Sequence, residues 1–247
     1  MSYKPFHFKK FSINQDRCAM KIGTDGVLLG AWASVNQNPF SILDIGAGTG
    51  VVSLMLAQKC HAELIDAIEI DDAAYEQCTG NFENSPWNDR LFCYHASLEE
   101  FVEEIDDAYD LIVSNPPFYK PTLASPSLPK GENLISESRK KARFNDALPF
   151  KHLLESVSKL LSETGIFSVI IPFKQEEAFI DLARNFGLFN NRTTRIKGNP
   201  TSEIKRSLIE FSFTESGIKT DELIIETERH QYTQEYVNLT KDFYLKM

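Results

Sequence analysis

A strand, a glycine-rich turn and a helix follow one another between residues 41 and 59, and this segment constrains the fold more than any other. The apolar run at residues 41–45 leads into Gly46-Ala47-Gly48-Thr49-Gly50, and the apolar residues that follow repeat with a helical period. Glycines let the backbone turn sharply and approach a ligand without a Cβ clash. The segment therefore predicts the first strand-loop-helix unit of an α/β fold that binds a nucleotide-like ligand.

The rest of the chain alternates short apolar runs with helical patterns, which is typical of a mostly parallel sheet with helices on both faces. We predict seven strands, of which the last two form an antiparallel hairpin at one edge. The strands are expected near residues 41–46, 64–69, 90–95, 109–114, 165–171, 191–197 and 206–214, and the helices at 50–59, 72–83, 98–104, 150–162 and 174–186. Gly165 is interpreted as a break between helix and strand, and Gly187 as the stop after the last helix.

The 247 residues are predicted to form a single domain with a short N-terminal extension at residues 1–22. Residues 119–149 lack strong periodicity and contain four prolines, so we predict a long mobile substrate loop there. No apolar run reaches the roughly 18–20 residues that a membrane span needs, and the polar start is unlike a signal peptide. We expect a cytoplasmic protein without membrane contact. The four cysteines are scattered and are interpreted as reduced residues, not as a metal site.

Two acidic residues accompany the glycine turn. Asp44 precedes the first glycine, and Glu69 ends the next strand about twenty positions later, a spacing that suits a carboxylate binding ribose hydroxyls. A pyrophosphate would be repelled by an extra carboxylate beside the turn, whereas a sulfonium that carries an amino acid group tolerates Asp44. The pattern favours S-adenosylmethionine over a dinucleotide as the cofactor.

Asn115-Pro116-Pro117-Phe118 follows the apolar run at residues 111–113 and predicts a pocket for a planar amine. An amine conjugated to a ring becomes nucleophilic only when two fixed acceptors pull its hydrogens out of the ring plane. The Asn115 side-chain oxygen and the Pro116 carbonyl can supply these two acceptors. Each of the two residues is followed by a proline, which restrains its backbone to an extended conformation. Phe118 offers a face for base stacking. Taken alone, the segment could equally be a rigid turn with a buried aromatic residue.

A further segment, residues 18–32 (CAMKIGTDGVLLGAW), places Thr24 and Asp25 directly before an apolar helical face, so one of the two is expected to cap a helix. Together with the two motifs above, the chain resembles the class I Rossmann-like methyltransferases over most of its length. Residues 8–11 and 18–32 at the start and 232–245 at the end are similar to the bacterial tRNA1(Val) adenine methyltransferases. The resemblance implies methylation of the exocyclic amine of the adenosine immediately 3′ of the anticodon.

The resemblance also implies a set of site residues. The region of Thr24 covers the methionine end of the cofactor in this family, where a helix N-terminus can bind a carboxylate. Ser97 stands near the place where most such enzymes have an Asp that meets the adenine amine. We predict catalytic roles for Asn115, Pro116 and Phe118, without a metal. The predicted cofactor-binding residues are Thr24, Asp44, Gly46, Gly48, Gly50, Glu69, Ser97 and Asn115, and the predicted substrate-binding residues are Pro117, Tyr119, Arg139, Lys140, Lys141 and Arg143.

A net charge of -9 argues against a nucleic-acid partner, but the charge is unevenly distributed. Seven acids and no base lie between Glu99 and Asp110, and they are interpreted as one solvated face. Basic residues gather near the start, on the predicted loop at residues 139–143, and in a third group formed by Arg192, Arg195, Lys197, Lys205 and Arg206. This distribution weakens the objection to an RNA substrate, and the resemblance implies the tRNA anticodon stem-loop as the partner. We expect a monomeric enzyme and no DNA partner.

Alternatives in substrate and in class remain open. Protein-glutamine methyltransferases share an Asn-Pro-Pro-aromatic motif, usually with Tyr last and with a separate helical N-terminal domain. Enzymes that methylate amino groups of ribosomal RNA commonly carry a second methyltransferase-like domain, and DNA adenine methyltransferases a target-recognition domain. A protein that binds S-adenosylmethionine only as an RNA scaffold is a more remote alternative, because it would not need both amine acceptors.

Overall fold

Eight strands form the main sheet in the computed structural model, which describes residues 4–18, 20–117 and 150–246. A two-stranded hairpin, β1 (Phe6–His7) and β2 (Ser12–Ile13), precedes the sheet. The sheet strands are β3 (Ser41–Ile45), β4 (Leu64–Glu69), β5 (Leu91–His95), β6 (Tyr109–Ser114), β7 (Leu161–Pro172), β8 (Phe189–Lys197), β9 (Ile204–Ser212) and β10 (Lys219–Ile224). Two short strands, β11 (Glu226–Glu228) and β12 (Gln231–Tyr232), pair with each other.

The strand order is β10-β8-β9-β7-β6-β3-β4-β5. Strand β9 is antiparallel to both of its neighbours, and the other seven strands run parallel to one another. The prediction of a mostly parallel α/β sheet is confirmed, but the prediction of seven strands is wrong. The eighth, β10, pairs with β8, so the antiparallel hairpin lies one strand in from the edge. Four of the six residues in β10 are exposed and three are charged, which left no apolar pattern to detect.

The helices are α1 (Thr24–Trp32), α2 (Val51–Lys59), α3 (Asp72–Glu83), α4 (Leu98–Glu104), α5 (Phe150–Leu160), α6 (Glu176–Arg184) and α7 (Gln234–Thr240), with a 3-10 helix at Phe173–Gln175. Gly187 ends α6 as predicted: its φ angle is 72°, and its N–H donates to the Arg184 carbonyl. The interpretation of Gly165 is wrong, because this residue lies inside β7. A Cβ atom there would approach Leu161 Cδ1 to 2.7 Å and the Tyr109 carbonyl oxygen to 2.9 Å, at an irregularity in the pairing with β6.

Helices pack on both faces of the sheet, as predicted. One core joins α1, α2 and α3 to the sheet and also contains Phe8 and Phe11, which are only 3% and 6% exposed. The other core joins α4, α5 and α6 to the opposite face. The two ends of the chain meet on the first side, where Phe8 bridges Tyr244 and the Lys9 N–H donates to the Phe243 carbonyl at 2.8 Å.

Two further features bear on the predictions. The loop predicted at residues 119–149 lies outside the described residues. Within the described part of the chain, every helix falls short of the length and apolar character that a membrane span requires.

Candidate active site

The three glycines after β3 form a loop with left-handed backbone. Gly46, Gly48 and Gly50 have φ angles of 75°, 58° and 77°, a region that strains residues with a Cβ atom. The N–H groups of Gly46 and Ala47 donate to the Ile68 carbonyl of β4 at 3.0 and 3.1 Å. A Cβ atom on Gly46 or Gly48 would meet no heavy atom within 4 Å. The loop therefore borders open space at the carboxyl ends of β3 and β4.

Gly50 faces the protein interior instead. A Cβ atom there would lie 2.5 Å from Phe82 Cε1 and 2.9 Å from Cys78 Sγ, both on α3. The missing side chain lets the start of α2 approach α3, so this glycine shapes the loop through packing as well as through its φ angle.

Asp44 lies under the loop and is 2% exposed. Its Oδ2 accepts hydrogen bonds from the Ser53 hydroxyl at 2.6 Å and from the Ser53 N–H at 3.2 Å, in the first turn of α2. Burial raises the pKa of Asp44 to about 6, although both bonds from Ser53 lower it. The residue holds β3 and α2 together on either side of the glycine turn.

Glu69 reaches the same loop from the end of β4. Its Oε2 accepts from the Gly48 N–H at 2.8 Å, and its Oε1 accepts from the N–H groups of Ile70 and Asp71 at 2.9 and 3.0 Å. Burial raises the pKa of this carboxyl, and the three backbone bonds lower it. The carboxylate thus contacts the Gly48 backbone, which borders the open space.

Helix α1 begins beside this loop, but the expected side-chain cap is absent. The N-cap residue is Gly23, and neither Thr24 nor Asp25 caps the helix, since both lie in its first turn. Asp25 accepts from Arg206 Nε at 2.8 Å, which ties the first turn of α1 to the start of β9. Gly23 has no side chain with which to cap the helix, so the N–H groups of this turn remain available to an acceptor such as a carboxylate.

The Asn115-Pro116-Pro117 segment follows β6 at the same edge of the sheet. Ile45 pairs with Ser114, so the glycine loop and Asn115 leave adjacent strands side by side. A Cβ atom on Gly26 would lie 3.9 Å from Asn115 Nδ2 and 3.1 Å from a Val51 methyl group. The first turn of α1 therefore packs directly against Asn115. Pro116 is buried, and Asn115 and Pro117 are partly exposed.

Ser97 stands at the end of the third predicted strand, as expected, but its side chain has another partner. Its hydroxyl accepts from the Glu100 N–H at 3.2 Å, and Glu100 Oε2 accepts from the Ser97 N–H at 2.9 Å, so the two form a capping box at the start of α4. The role of Ser97 in binding the cofactor stays a prediction. Phe118, Tyr119, Arg139, Lys140, Lys141 and Arg143 lie outside the described residues, and their roles also stay predictions.

The third group of basic residues is largely neutralised. Arg192 lies 3.7 Å from the Trp32 ring centre and pairs with Glu210 at 2.8 Å. The other pairs join Arg195 to Glu176 at 2.7 Å, Lys197 to Glu222 at 2.9 Å and Arg206 to Asp25 at 2.8 Å. These arginines are mainly structural.

Sequence reasoning missed three residues that shape the site: Gly26, Ser53 and Arg206. Gly26 leaves room for the Val51 side chain next to Asn115, Ser53 anchors Asp44, and Arg206 holds the first turn of α1. Gly26 lies in the segment that carried the family resemblance, and Ser53 is a polar residue in an otherwise apolar turn of α2. These were available signals. The role of Arg206 had no local signal in the sequence, because its partner Asp25 is 181 residues away in the chain.

Comparisons with known proteins find methyltransferases among the relatives of this chain. The family described as methyltransferase small domain matches residues 27–148. A tRNA1(Val) (adenine(37)-N6)-methyltransferase of Flavobacterium psychrophilum is 60% identical over 242 residues, which cover 98% of this chain and 100% of that protein. The enzyme of the same description from Christiangramia forsetii is 57% identical over 249 residues and covers both chains completely.

A solved structure supports the fold. A protein described as a predicted O-methyltransferase, from Agrobacterium tumefaciens, superimposes with a TM-score of 0.66 at 18% identity. The match covers 89% of this chain and 96% of that chain. At this identity the similarity concerns the Rossmann-like architecture alone.

Proposed function

Because this chain belongs to the family of tRNA1(Val) (adenine(37)-N6)-methyltransferases, we propose that it transfers a methyl group from S-adenosylmethionine to the exocyclic amine of an adenosine in tRNA. We further propose that this adenosine is the one immediately 3′ of the anticodon, in the anticodon stem-loop of tRNA1(Val). One structural observation supports the proposal: the adjacent strands β3 and β6 bring the glycine loop and Asn115-Pro116-Pro117 side by side.

The loop fits the cofactor on geometric grounds. The space beside Gly46 and Gly48 is open, and a left-handed backbone at both positions lets their peptide groups approach a ligand. We assign Glu69 to the binding of the ribose hydroxyls of the cofactor, because its carboxylate accepts a hydrogen bond from the Gly48 N–H at the border of this open space. Thr24 and the first N–H groups of α1 are assigned to the cofactor carboxylate. S-adenosylmethionine, when bound, supplies an electrophilic methyl group.

Asn115 and Pro116 orient the amine. The Asn115 side-chain oxygen and the Pro116 carbonyl each accept a hydrogen bond from the adenine amine, which turns its lone pair toward the methyl group. Positive charge develops on the nitrogen during transfer, and the two acceptors stabilise it as fixed dipoles. The amine loses its proton easily after methylation, so a strong base is unnecessary. Catalysis is assigned mainly to positioning.

The assignment is tested by methyl transfer to unmodified tRNA. Purified protein is incubated with methyl-labelled S-adenosylmethionine and tRNA from a strain that lacks this gene, and the labelled nucleosides are identified. We expect label in N6-methyladenosine of tRNA, at the position 3′ of the anticodon after mapping. Label in ribosomal RNA or in a glutamine side chain of protein would overturn the substrate, and label nowhere would overturn the catalytic assignment.

Asp44 provides a pH-dependent test of the cofactor site. Its pKa of about 6 exceeds the ordinary value of 3.8, so the folded state binds the proton more tightly than the unfolded state. The contribution of this group to stability is therefore greatest at low pH and is lost as pH rises from about 4 to 6, a cost of about 3 kcal/mol. We expect Asp44→Asn to raise the unfolding free energy at pH 7.5 by about 1–3 kcal/mol, and to weaken S-adenosylmethionine binding because a carboxylate beside the cation is lost.

Urea unfolding at pH 5 and pH 7.5, with calorimetric titration of S-adenosylmethionine, measures both effects. Asp181→Asn serves as the control, since Asp181 is an exposed carboxyl in α6, away from the glycine loop, and its replacement should change neither quantity. An Asp44→Asn protein with the same pH dependence of stability as the wild type would contradict the assignment of that dependence to Asp44.

A further inference from the structure

We propose that Lys174 and Lys205 form a phosphate-binding rim that holds the RNA backbone next to the target base. The inference rests on the proposed function, since it concerns how the same substrate reaches Asn115. Both lysines are exposed and belong to elements far apart in the chain. The fold brings them to the edge of the sheet from which Asn115-Pro116-Pro117 emerges.

The strand pairing places the two lysines at this edge. Strand β6 pairs with β7 through Ser114 and Val169, and the 3-10 helix that contains Lys174 follows the end of β7 directly. Strand β9 is antiparallel to β7, and Pro172 pairs with Arg206, so β9 starts where β7 ends. Lys205 therefore lies about two strand spacings, roughly 10 Å, to the side of β6, and about three residues, roughly 10 Å, beyond Asn115 along the strand direction. These distances are short enough for one RNA loop to contact both lysines and Asn115.

The surrounding cations are already paired, which distinguishes these two lysines from their neighbours. Arg195, Lys197 and Arg206 each form an ion pair with a carboxylate at 2.7–2.9 Å. Within the part of the chain that the structure describes, neither Lys174 nor Lys205 lies within 4 Å of a carboxylate oxygen; the exposed Glu203 is two residues from Lys205 but makes no ion pair with it. Their charges are therefore available to a bound anion.

The opposite side of the site is acidic. Asp71 and Asp72 follow β4, and Glu99 and Glu100 lie in the first turn of α4 after β5. A polyanion approaching from that side would meet carboxylates, whereas the β7–β9 side adds two unpaired ammonium groups to the exposed Glu177 and Glu203. We infer that the RNA backbone enters from the side that carries these ammonium groups. An ammonium group suits this task because it binds phosphate as a point charge, without a fixed geometry.

The test measures the salt dependence of tRNA binding. The dissociation constant of unmodified tRNA is determined by fluorescence anisotropy between 50 and 200 mM salt for the wild type, Lys174→Ala, Lys205→Ala and the double variant. Each lost phosphate contact should reduce the slope of log K against log salt by about 0.7–0.9 and weaken binding roughly threefold at the lower salt concentration. Lys174→Arg and Lys205→Arg should retain the wild-type slope, and S-adenosylmethionine affinity should be unchanged in every variant.

Lys219→Ala is the matched control. Lys219 is also exposed but begins β10, the outermost strand, where it pairs with Arg192 of β8. It lies about four strand spacings, roughly 19 Å, from the line of β6, so its loss should leave the slope unchanged. If both Lys174→Ala and Lys205→Ala kept the wild-type salt slope, the proposed rim would be overturned. Methyl transfer to tRNA by the same preparations would still support the proposed function. A wild-type protein that neither binds nor methylates tRNA would overturn both.

Discussion

Asn115→Ala is expected to lower kcat for methyl transfer by about 10²–10³-fold, because it removes one of the two fixed acceptors that orient the adenine amine. The change leaves the glycine loop, Glu69 and Asp44 in place, so the dissociation constant of S-adenosylmethionine should stay within about threefold of the wild type. Single-turnover kinetics with saturating tRNA, combined with equilibrium titration of the cofactor, separates the two quantities.

Two further variants sharpen this test. Asn115→Asp keeps an acceptor oxygen at the same place and should retain more activity than Asn115→Ala. Asn36→Ala removes an exposed carboxamide from the turn before β3, away from the carboxyl edge of the sheet, and should change nothing. Full activity in Asn115→Ala would show that the amine is oriented by other groups and would remove Asn115 from the mechanism.

Gly50→Ala is expected to lower the unfolding free energy by about 2–4 kcal/mol and to weaken cofactor binding. Two causes add at this position. The φ angle of 77° strains any residue with a Cβ atom, and that atom would lie 2.5 Å from the Phe82 ring and 2.9 Å from Cys78 Sγ. The ring and the sulfur belong to α3, so relief requires α2 and α3 to separate, which also displaces the glycine loop.

A glycine series divides the two causes. Gly48 has a φ angle of 58°, but the space around an added methyl group is open. Gly48→Ala should therefore lower the unfolding free energy only by the backbone strain, about 1–2 kcal/mol. Gly80→Ala lies within α3 with nothing within 4 Å and should stabilise the protein by about 0.5–1 kcal/mol. Equal losses at Gly48 and Gly50, measured by urea unfolding, would show that packing against α3 contributes nothing.

Local chemistry made much of the fold and of the site predictable from the sequence. The glycine turn with Asp44 and Glu69, and the Asn115-Pro116-Pro117 segment, each combine residue type with position at a strand end. The structure brings these two motifs together because β3 and β6 are neighbours. A parallel sheet gathers its strand ends at one edge, so the position of a motif after a strand carries three-dimensional information.

The remaining features depend on contacts that leave no local pattern. The expected cap at Thr24 or Asp25 is absent because both residues lie in the first turn of α1, after the N-cap residue Gly23, and Asp25 pairs with Arg206 across 181 residues. Strand β10 is recognised only by its pairing with β8, since its exposed polar residues lack an apolar alternation. Ser97 is a different case: the Ser97 to Glu100 spacing is a capping-box signature that could have been seen in the sequence.

The bridge between Phe8 and Tyr244 has a consequence for biosynthesis. The segment that leads into α1, the helix beside the glycine loop, is translated among the first residues, but it packs against residues 243 and 244 near the other end of the chain. An emerging polypeptide can form β3 to β6 early, yet α1 obtains its final support only after α7 has left the ribosome. We therefore expect ribosome-bound chains that stop before residue 234 to fold their central strands without retaining S-adenosylmethionine.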